Sequence, residues 1–288
     1  MTTELAGARP MRQGWFSRAA FYVLLTLGSF CMLYPRLWMV SSSLKPDNEI
    51  FSSLSLIPQM PSLEAYFRGW NGLRVSFTQF FWNSLVISVA SVIGHLLSCS
   101  LAAYAFARLE FPGRRLWFAL MLGTLMIPPH AVLIPQYVMF LNVGWVNTIW
   151  PLIAPKFLAV DAFFVFLMVQ FFRGIPRELD EAAMIDGAGP WRIYWMVMLP
   201  LSGPVMATVA VFTFIWTWDD FFAPLIYLND MKSYTVQLGL RTFVDTTAAS
   251  DWSGLFAMST LVLVPVFVIF VFFQRLLVEG IATTGIKR

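Results

Sequence analysis

Charged residues are scarce in this sequence, and their scarcity argues against a water-soluble surface. Of 288 residues, 12% are charged and 58% are hydrophobic, with a mean hydropathy of +0.70. Ordinary soluble domains carry about 25% charged residues. The charges that are present cluster between long apolar stretches, a pattern typical of membrane spans. We therefore predict an all-α, polytopic membrane protein.

Cysteine and histidine are also rare, with two residues of each type. Cys31 and Cys99 lie in apolar stretches without CxxC spacing, so neither a disulfide framework nor a metal knuckle is expected. His95 and His130 are isolated, and a lone histidine in an apolar helix is typically a hydrogen-bonded packing residue. An enzyme in the membrane would need several such groups together. We expect no catalytic residue and no metal in this chain.

Two further motifs are missing from the sequence. No basic stripe or aromatic-interleaved arm is present, which makes nucleic acid a poor candidate partner. No phosphate-binding loop of the GxxxxGK[ST] form is present, so we do not expect this chain to hydrolyse ATP. If ATP drives the protein, a separate polypeptide must hydrolyse it.

Six apolar stretches are long enough to cross a bilayer, because a helical span needs about 20 residues for a ~30 Å hydrocarbon layer. The predicted spans are 19–40, 82–106, 116–141, 149–172, 201–228 and 255–277. Arg9, Arg12 and Arg18 precede the first stretch, as they would in a signal peptide. The stretch is too long for that and lacks a small-x-small cleavage site, so we expect a retained helix. Prolines interrupt three spans, which predicts helices packed around one another or around a cavity.

The charges of the loops predict the orientation. Six spans place both termini and the second and fourth loops on one side, and this side carries most of the Lys and Arg residues. The positive-inside rule therefore predicts that both termini are cytoplasmic. The predicted divisions are a cytoplasmic tail (1–18), a transmembrane domain (19–277) with a cytoplasmic loop at 173–200, and a second cytoplasmic tail (278–288).

The loop 173–200 carries the strongest local signal. Pro176 suits the first turn of a helix, and carboxylates follow where the helix dipole favours negative charge. The acidic residues of the loop are Glu178, Asp180, Glu181 and Asp186. Gly187 suits the end of the helix, and Pro190 prevents its continuation. The pattern predicts a short helix of small and acidic residues on the cytoplasmic face.

This helix could lie on the lipid surface or against a partner protein. Surface-seeking helices carry Lys and Arg on their polar face, and each basic residue near the anionic inner leaflet is worth about 1 kcal/mol. Here four carboxylates would face that negative field. The small residues Ala182, Ala183 and Gly187 bury little area in lipid but allow close approach. We therefore predict that the helix docks on a cytoplasmic protein.

The order of residues in the loop matches a known family pattern. The pattern begins with Glu181-Ala182-Ala183, and Gly187 follows after three intervening residues. Val197 follows Gly187 after nine residues, and Leu199-Pro200 follows Val197 after one. The pattern resembles the "EAA" loop of binding-protein-dependent ABC importer permeases, which prefers Ile at Val197. The stretches 43–46, 170–176 and 280–287 are similar to the carbohydrate-uptake branch, in particular to the smaller permease of maltose-type and glycerol-3-phosphate-type systems. The resemblance covers nearly the whole chain.

The resemblance implies a type I ABC importer transmembrane domain in a bacterial inner or plasma membrane. The implied cargo is a sugar, an oligosaccharide or a polyol derivative. The implied partners are a second related permease, two cytoplasmic ATPase subunits, an extracytoplasmic substrate-binding protein and the lipid bilayer. ATP and Mg²⁺ would be bound by the ATPase subunits, with no cofactor in this chain.

The resemblance also implies that the loop helix is a coupling helix, which inserts into a cleft of an ATPase subunit. Glu181 and Asp186 would contact the ATPase, and Leu199 and Pro200 would start the fifth span and transmit the movement. The full set of implied coupling residues is Glu178, Glu181, Ala182, Ala183, Asp186, Gly187, Leu199 and Pro200.

A second group of candidates lies in the fifth stretch. Asp219 and Asp220 are ionisable residues at membrane depth, where charges are costly and usually face protein or water. Trp216 and Trp218 beside them could stack on a sugar ring in a substrate path. Alternatively, the aspartates cap a broken helix and the tryptophans are interfacial anchors. Both interpretations stay open.

The alternative function is a secondary transporter driven by an ion gradient. It would require an inverted repeat and coupling-ion carboxylates near the midplane. No clear repeat is visible, and Asp219 and Asp220 are the only adjacent carboxylates within a predicted span. Lys156 and Asp161, in the fourth span, are expected to pair with each other or with another subunit. The sequence therefore favours an ATP-driven importer.

Overall fold

The protein, described here by a computed structural model, is built from helices. The structure describes residues 15–52, 55–244 and 251–285, without the side chains of 16, 17 and 276–285. Within these ranges no β-strand occurs, and the all-α prediction is confirmed. The predicted tails and the motif at 280–287 lie outside the described residues, apart from the first turn of the first helix and the backbone up to residue 285.

Fifteen α-helices occur in the described ranges. They are α1 (Trp15–Ser42), α2 (Asp47–Ile50), α3 (Glu64–Asn71), α4 (Phe77–Arg108), α5 (Arg114–Thr124), α6 (Leu133–Asn142), α7 (Trp150–Ile153), α8 (Ala162–Gly174), α9 (Glu178–Ile185), α10 (Pro190–Ile193), α11 (Leu199–Leu201), α12 (Gly203–Trp218), α13 (Phe222–Tyr227), α14 (Val236–Arg241) and α15 (Trp252–Gly285). Short 3₁₀ segments occur at Pro129–Val132, Ala154–Leu158 and Met231–Ser233, and a π-helical segment at Tyr194–Met198.

Four segments among the described residues are long and apolar enough to cross a membrane by themselves. They are Arg18–Ser42, Phe77–Arg108, Trp150–Gly174 and Trp252–Arg275. Two further pairs reach this length only together, because each pair is bent. Arg114–Thr124 meets Pro129–Asn142 at 95°, and Pro190–Leu201 meets Gly203–Trp218 at 77°. Six crossings result if each bent pair is one span, and the count of six stays a prediction.

The fifth stretch differs from its prediction at its C-terminal end. The helix α12 stops at Trp218, and Pro224 lies in a separate helix, α13. A continuous helix would bring the Pro224 ring against the carbonyl of Asp220, four residues earlier. Instead, the Ala223 N–H donates a 3.3 Å hydrogen bond to Asp220 Oδ1 and helps to start α13.

The fourth stretch is also interrupted. A 3₁₀ segment follows α7, and Ala159 adopts φ +52° before Asp161 precedes α8. Pro155 contributes to this irregularity because it has no N–H for the helical ladder. Irregular backbone at membrane depth is tolerated where it is buried in protein or lines a cavity. The interruption therefore marks a region to examine for a site.

The long helix α4 is the centre of the packing. It contacts α8 and α12 along its length, and α12 in turn packs on α15. One apolar core surrounds Cys99 and Tyr104 near the end of α4, and a second surrounds Phe77 and Phe80 near its start. Cys99 is fully buried in the first core, where it serves as a small packing residue.

Candidate functional site

The helix α9 lies in the loop that the sequence singled out. It runs from Glu178 to Ile185 and ends in Gly187, whose φ of +80° lies in the left-handed region that favours glycine. The Gly187 N–H donates to the Met184 carbonyl (3.0 Å), and the Ala188 N–H donates to the Ala183 carbonyl (2.9 Å). This pair of bonds is a Schellman motif, which satisfies the last carbonyls of the helix. The predicted end of the helix is confirmed.

A buried ion pair fixes α9 to the end of α4. Arg108 Nε lies 3.1 Å from Asp180 Oδ2, and the two side chains are only 5% and 9% exposed. Arg108 Nη2 also donates to the Ile175 carbonyl at 2.7 Å, directly before the helix. Asp180 therefore points into the protein, unlike the other acidic residues of the loop. Glu178, Glu181 and Asp186 remain exposed.

The chain after α9 is anchored to α4 as well. The Tyr104 hydroxyl donates to the Pro190 carbonyl (2.9 Å), and the hydroxyls of Ser100 and Tyr194 lie 2.7 Å apart. Tyr194 is buried, and its ring packs on that of Tyr104 with centroids 5.4 Å apart. Leu199 and Pro200 follow at the bend into α12. A displacement of α9 would therefore be passed to α4 and α12 through short, packed connections.

The outer surface of the loop is partly apolar. Met184 is 58% exposed, Ile185 87% and Trp191 63%. Ala182 and Gly187 are exposed beside them, and Ala183 is half-buried. Exposed apolar side chains among carboxylates are typical of a protein interaction site when they form one patch.

A cavity of about 180 Å³ lies between α4, α12 and the interrupted fourth stretch. Most of its lining groups are polar or charged, although the surrounding helices are strongly apolar. The lining residues are Ser84, Ile87, His95, Leu152, Lys156, Asp161, Phe164, Thr213, Trp216, Thr217, Asp220, Pro224 and Thr235. Ionisable residues at this depth usually face water or a ligand path.

Two of the four predicted path residues line this cavity. Trp216 stacks on Phe164, with ring centroids 5.2 Å apart and an interplanar angle of 24°, and Asp220 lies just beyond the end of α12. Asp219 points elsewhere, is exposed and accepts a 3.3 Å hydrogen bond from Gln237. Trp218 is buried, and its indole N–H donates to the Val262 carbonyl at 3.1 Å. The structure thus brings Trp216 and Asp220 together but separates Asp219 and Trp218 from them.

Lys156 and Asp161 lie on the same cavity, where the sequence suggested a pair. Within the described part of the chain, no carboxylate lies within 4.0 Å of Lys156 Nζ. The hydroxyl of Ser98 donates to the Lys156 carbonyl (2.8 Å) and ties this segment to α4. The expected contact between Lys156 and Asp161 is therefore not an ion pair in this structure.

His95 and Thr213 were not predicted as members of a site. His95 Nδ1 lies 3.0 Å from the Thr213 hydroxyl, which joins α4 to α12 and agrees with the expected packing role of this histidine. A signal for the cavity is present in the sequence of α12. Thr213, Trp216 and Thr217 recur with helical spacing on one face of α12, and Asp220 follows just beyond the end of this helix.

A charged network lies at the opposite end of α4 from α9. Arg68 Nε and Nη2 donate to Asp251 Oδ2 and Oδ1 at 3.1 and 2.8 Å. The hydrogen bond to Asp251 raises the pKa of Arg68 against the opposing effect of burial. Burial raises the pKa of Asp251, but the hydrogen bonds from Arg68 and from the Gly254 N–H outweigh it, so this pKa lies below its ordinary value. The network joins α3 to the start of α15.

Groups of three or more His, Cys, Asp or Glu side chains that could hold a metal ion do not occur among the residues that the structure describes. The polar cavity contains two carboxylates and one histidine, but these do not converge on a common point that would bind a metal.

The geometry defines a helical membrane protein with an exposed helix, α9, at one end and a polar cavity within the helices. Residues 94–283 match the family model described as "Binding-protein-dependent transport system inner membrane component". The chain belongs to this family, and the predicted resemblance is confirmed. It is a permease subunit of a binding-protein-dependent ABC importer.

Curated relatives match over most of their length. The chain is 34% identical over 258 residues to the diacetylchitobiose uptake system permease protein NgcG of Streptomyces coelicolor, covering 89% of this chain and 85% of that protein. It is 34% identical over 269 residues to the galactooligosaccharides transport system permease protein GanQ of Bacillus subtilis (92% and 94%). It is 32% identical over 270 residues to the sn-glycerol-3-phosphate transport system permease protein UgpE of Brucella abortus (91% and 95%).

A solved structure has the same fold. A chain of a bacterial ABC transporter involved in the import of the acidic polysaccharide alginate superposes with a TM-score of 0.82, covering 93% of this chain and 99% of that chain. Sequence identity is 23%, so this similarity concerns the fold alone. It confirms the predicted type I importer architecture.

Proposed function

We propose that this chain is one of two related permeases in an ATP-driven importer of a sugar or an oligosaccharide. Both termini face the cytoplasm of a bacterial cell, and the exposed helix α9 docks on a separate ATPase subunit that binds ATP and Mg²⁺. A substrate-binding protein delivers the cargo to the opposite face. The sugar class is supported by relatives named for diacetylchitobiose and galactooligosaccharides.

The observation that carries the proposal is the construction of the α9 loop. Its exposed side presents Met184, Ile185 and three carboxylates, whereas its inner side is fixed to α4 by Asp180 and Arg108. A surface that is apolar, exposed and rigidly attached to the spans is suited to receive force from a partner. Carboxylates disfavour the anionic lipid surface as an alternative resting place.

Coupling then follows from the connections of the loop. When two ATPase subunits close on ATP, the subunit that holds α9 pulls on this helix. The movement reaches α4 through the buried ion pair and reaches α12 through Leu199 and Pro200. Because α4 and α12 both line the polar cavity, their rearrangement changes which side of the membrane the cavity faces.

The test is affinity purification of the tagged chain from its native membrane, followed by identification of the proteins that accompany it. We expect a P-loop ATPase and a second permease with the wild-type chain, and loss of the ATPase with Glu181→Lys and with Gly187→Trp. Glu110→Lys is the matched control, since Glu110 is an exposed carboxylate in the loop after α4 and is not part of α9. Recovery of the chain alone, or equal recovery of the ATPase with all three variants, would contradict the proposal.

A further inference from the structure

The polar cavity carries more unpaired polar groups than helix packing requires. His95 and Thr235 are 1% and 3% exposed, yet His95 Nε2 and Thr235 Oγ1 have no hydrogen-bond partner among the described residues. Lys156 also lines the cavity without an ion-pair partner in that part of the chain. Leaving a buried donor or acceptor unsatisfied costs about 1–3 kcal/mol. A ligand with several hydroxyls could pair with Lys156, and with His95 and Thr235 once a movement of the helices opens the cavity to them.

An aromatic surface stands beside these polar groups. One face of Trp216 is stacked on Phe164, while 49% of the side chain remains exposed. Indole rings have a flat apolar face, and a tryptophan side chain loses little conformational entropy when a ligand binds. The apolar face of a sugar ring can pack on the free part of Trp216 while its hydroxyls reach Lys156 and Asp220.

The size of the cavity limits what it can hold. Pockets for drug-sized ligands measure about 300–1,000 Å³, whereas this cavity measures about 180 Å³. The space suits one ring of a longer molecule, with the remainder extending toward the second permease.

The charge of the lining limits the cargo further. Counted at their ordinary charges, Lys156 contributes one positive charge and Asp161 and Asp220 contribute two negative charges, a sum of −1. Like charges repel strongly where solvent screening is weak. An anionic cargo would therefore be disfavoured in this chain's part of the path, and an uncharged sugar would not.

We propose that this cavity is a cargo subsite, in which Lys156, Asp161, Asp220 and Trp216 bind one ring of an uncharged oligosaccharide and select against anionic cargo. The inference rests on the proposed function, because it assumes that cargo passes along this chain. It assigns specificity to a particular set of residues, two of which, Lys156 and Asp161, lie in the interrupted fourth stretch.

The test uses the complete transporter, purified with its partners and binding protein and reconstituted in lipid vesicles. Uptake is measured for a set of tritiated uncharged di- and trisaccharides and for glycerol 3-phosphate and galacturonate as anions. We expect ATP-dependent uptake of at least one uncharged sugar and much slower uptake of both anions. Faster uptake of an anion than of every uncharged sugar would overturn the charge selection. A lack of uptake of any uncharged sugar would overturn it as well.

The variants Lys156→Met and Trp216→Ala test the subsite itself. We expect each to slow sugar uptake by about tenfold, which corresponds to ~1.4 kcal/mol, while ATP hydrolysis stimulated by the loaded binding protein stays within about twofold. The matched controls Lys232→Met and Trp117→Ala alter exposed residues outside the cavity and should leave both rates unchanged.

The outcomes separate the two proposals. Unchanged uptake in Lys156→Met and Trp216→Ala would overturn the subsite alone, and so would a parallel loss of uptake and hydrolysis, which indicates a structural role. A wild-type complex without any ATP-dependent uptake would contradict the proposed function as well.

Discussion

Asp180 shows how the role of a residue depends on a contact distant in sequence. It stands between Leu179 and Glu181 in a run of carboxylates, and nothing in the local pattern separates it from Glu178 or Glu181. Only the fold brings it against Arg108, at the end of α4, where both side chains are buried. The sequence could therefore predict a docking helix with acidic residues but not that one of them holds the helix in place.

The ion pair predicts that replacing Asp180 lowers the stability of the protein more than replacing its neighbour Glu181. Removing one partner of a buried pair costs about 3–5 kcal/mol, because the other charge stays buried without compensation. Asp180→Ala should therefore lower the unfolding midpoint of the purified transporter, measured by differential scanning fluorimetry. Glu181→Ala, at an exposed position, should leave the midpoint nearly unchanged.

A double variant provides the control for this prediction. Replacing both charges with apolar groups of similar size is often neutral or stabilising, so Arg108→Met with Asp180→Leu should recover most of the lost stability. Equal midpoints for Asp180→Ala and Glu181→Ala would show that the buried ion pair contributes little.

At the scale of elements, the continuous apolar runs were predictable, whereas the angles at the breaks were not. The stretches predicted at 19–40, 82–106 and 255–277 correspond to α1, α4 and α15, because each is apolar for more than 18 residues. The third and fifth stretches bend by 95° and 77°, and such angles depend on how neighbouring helices pack. Prolines indicated that breaks would occur but not how far the chain would turn.

The same limit explains the partial prediction of the cavity. Trp216 and Asp220 were singled out from residue type, but Lys156 joins them only because the fourth stretch is interrupted and lies beside α12. Asp219 and Trp218 are of the same residue types as Asp220 and Trp216, but they do not line the cavity. Side-chain direction at a helix end depends on where the helix stops, which the sequence fixes only within a few residues.

The contact between α3 and α15 predicts a dependence of stability on pH. Because the pKa of Asp251 is lower in the folded protein than its ordinary value of 3.8, its pairing with Arg68 stabilises the fold above that value and is lost as pH falls through the folded pKa. The difference in unfolding midpoint between wild type and Arg68→Met should be constant from about pH 5 to 8 and shrink below about pH 4.

Asn83→Ala serves as the control in this titration. The hydrogen bonds that the Asn83 side-chain amide donates to the Lys232 and Tyr234 carbonyls do not depend on pH in the acidic range. Its midpoint difference from wild type should not change over the same acidic range. A difference for Arg68→Met that persists unchanged at pH 3 would mean that the ion pair does not contribute to stability.

At the scale of the whole molecule, family membership and fold agree with the prediction from the loop motif. The motif is informative because each position has a physical reason. The left-handed Gly187 ends the helix, small residues leave its surface open to a partner, and the chain continues through Leu199 and Pro200 into α12. The identities of the partner chains lie beyond one sequence, because they depend on surfaces of other proteins.

The central claim is that α9 transmits force from an ATPase, and site-specific cross-linking tests it most directly. Benzophenone maleimide would be attached at Ile185→Cys, in a chain carrying Cys31→Ser and Cys99→Ala, within the native membrane. We predict a photo-adduct with the ATPase subunit that changes in yield when ATP is added. No ATPase adduct is expected from Leu63→Cys, an exposed position at the opposite end of the protein. An ATPase adduct from Leu63→Cys, or none from Ile185→Cys, would contradict the account.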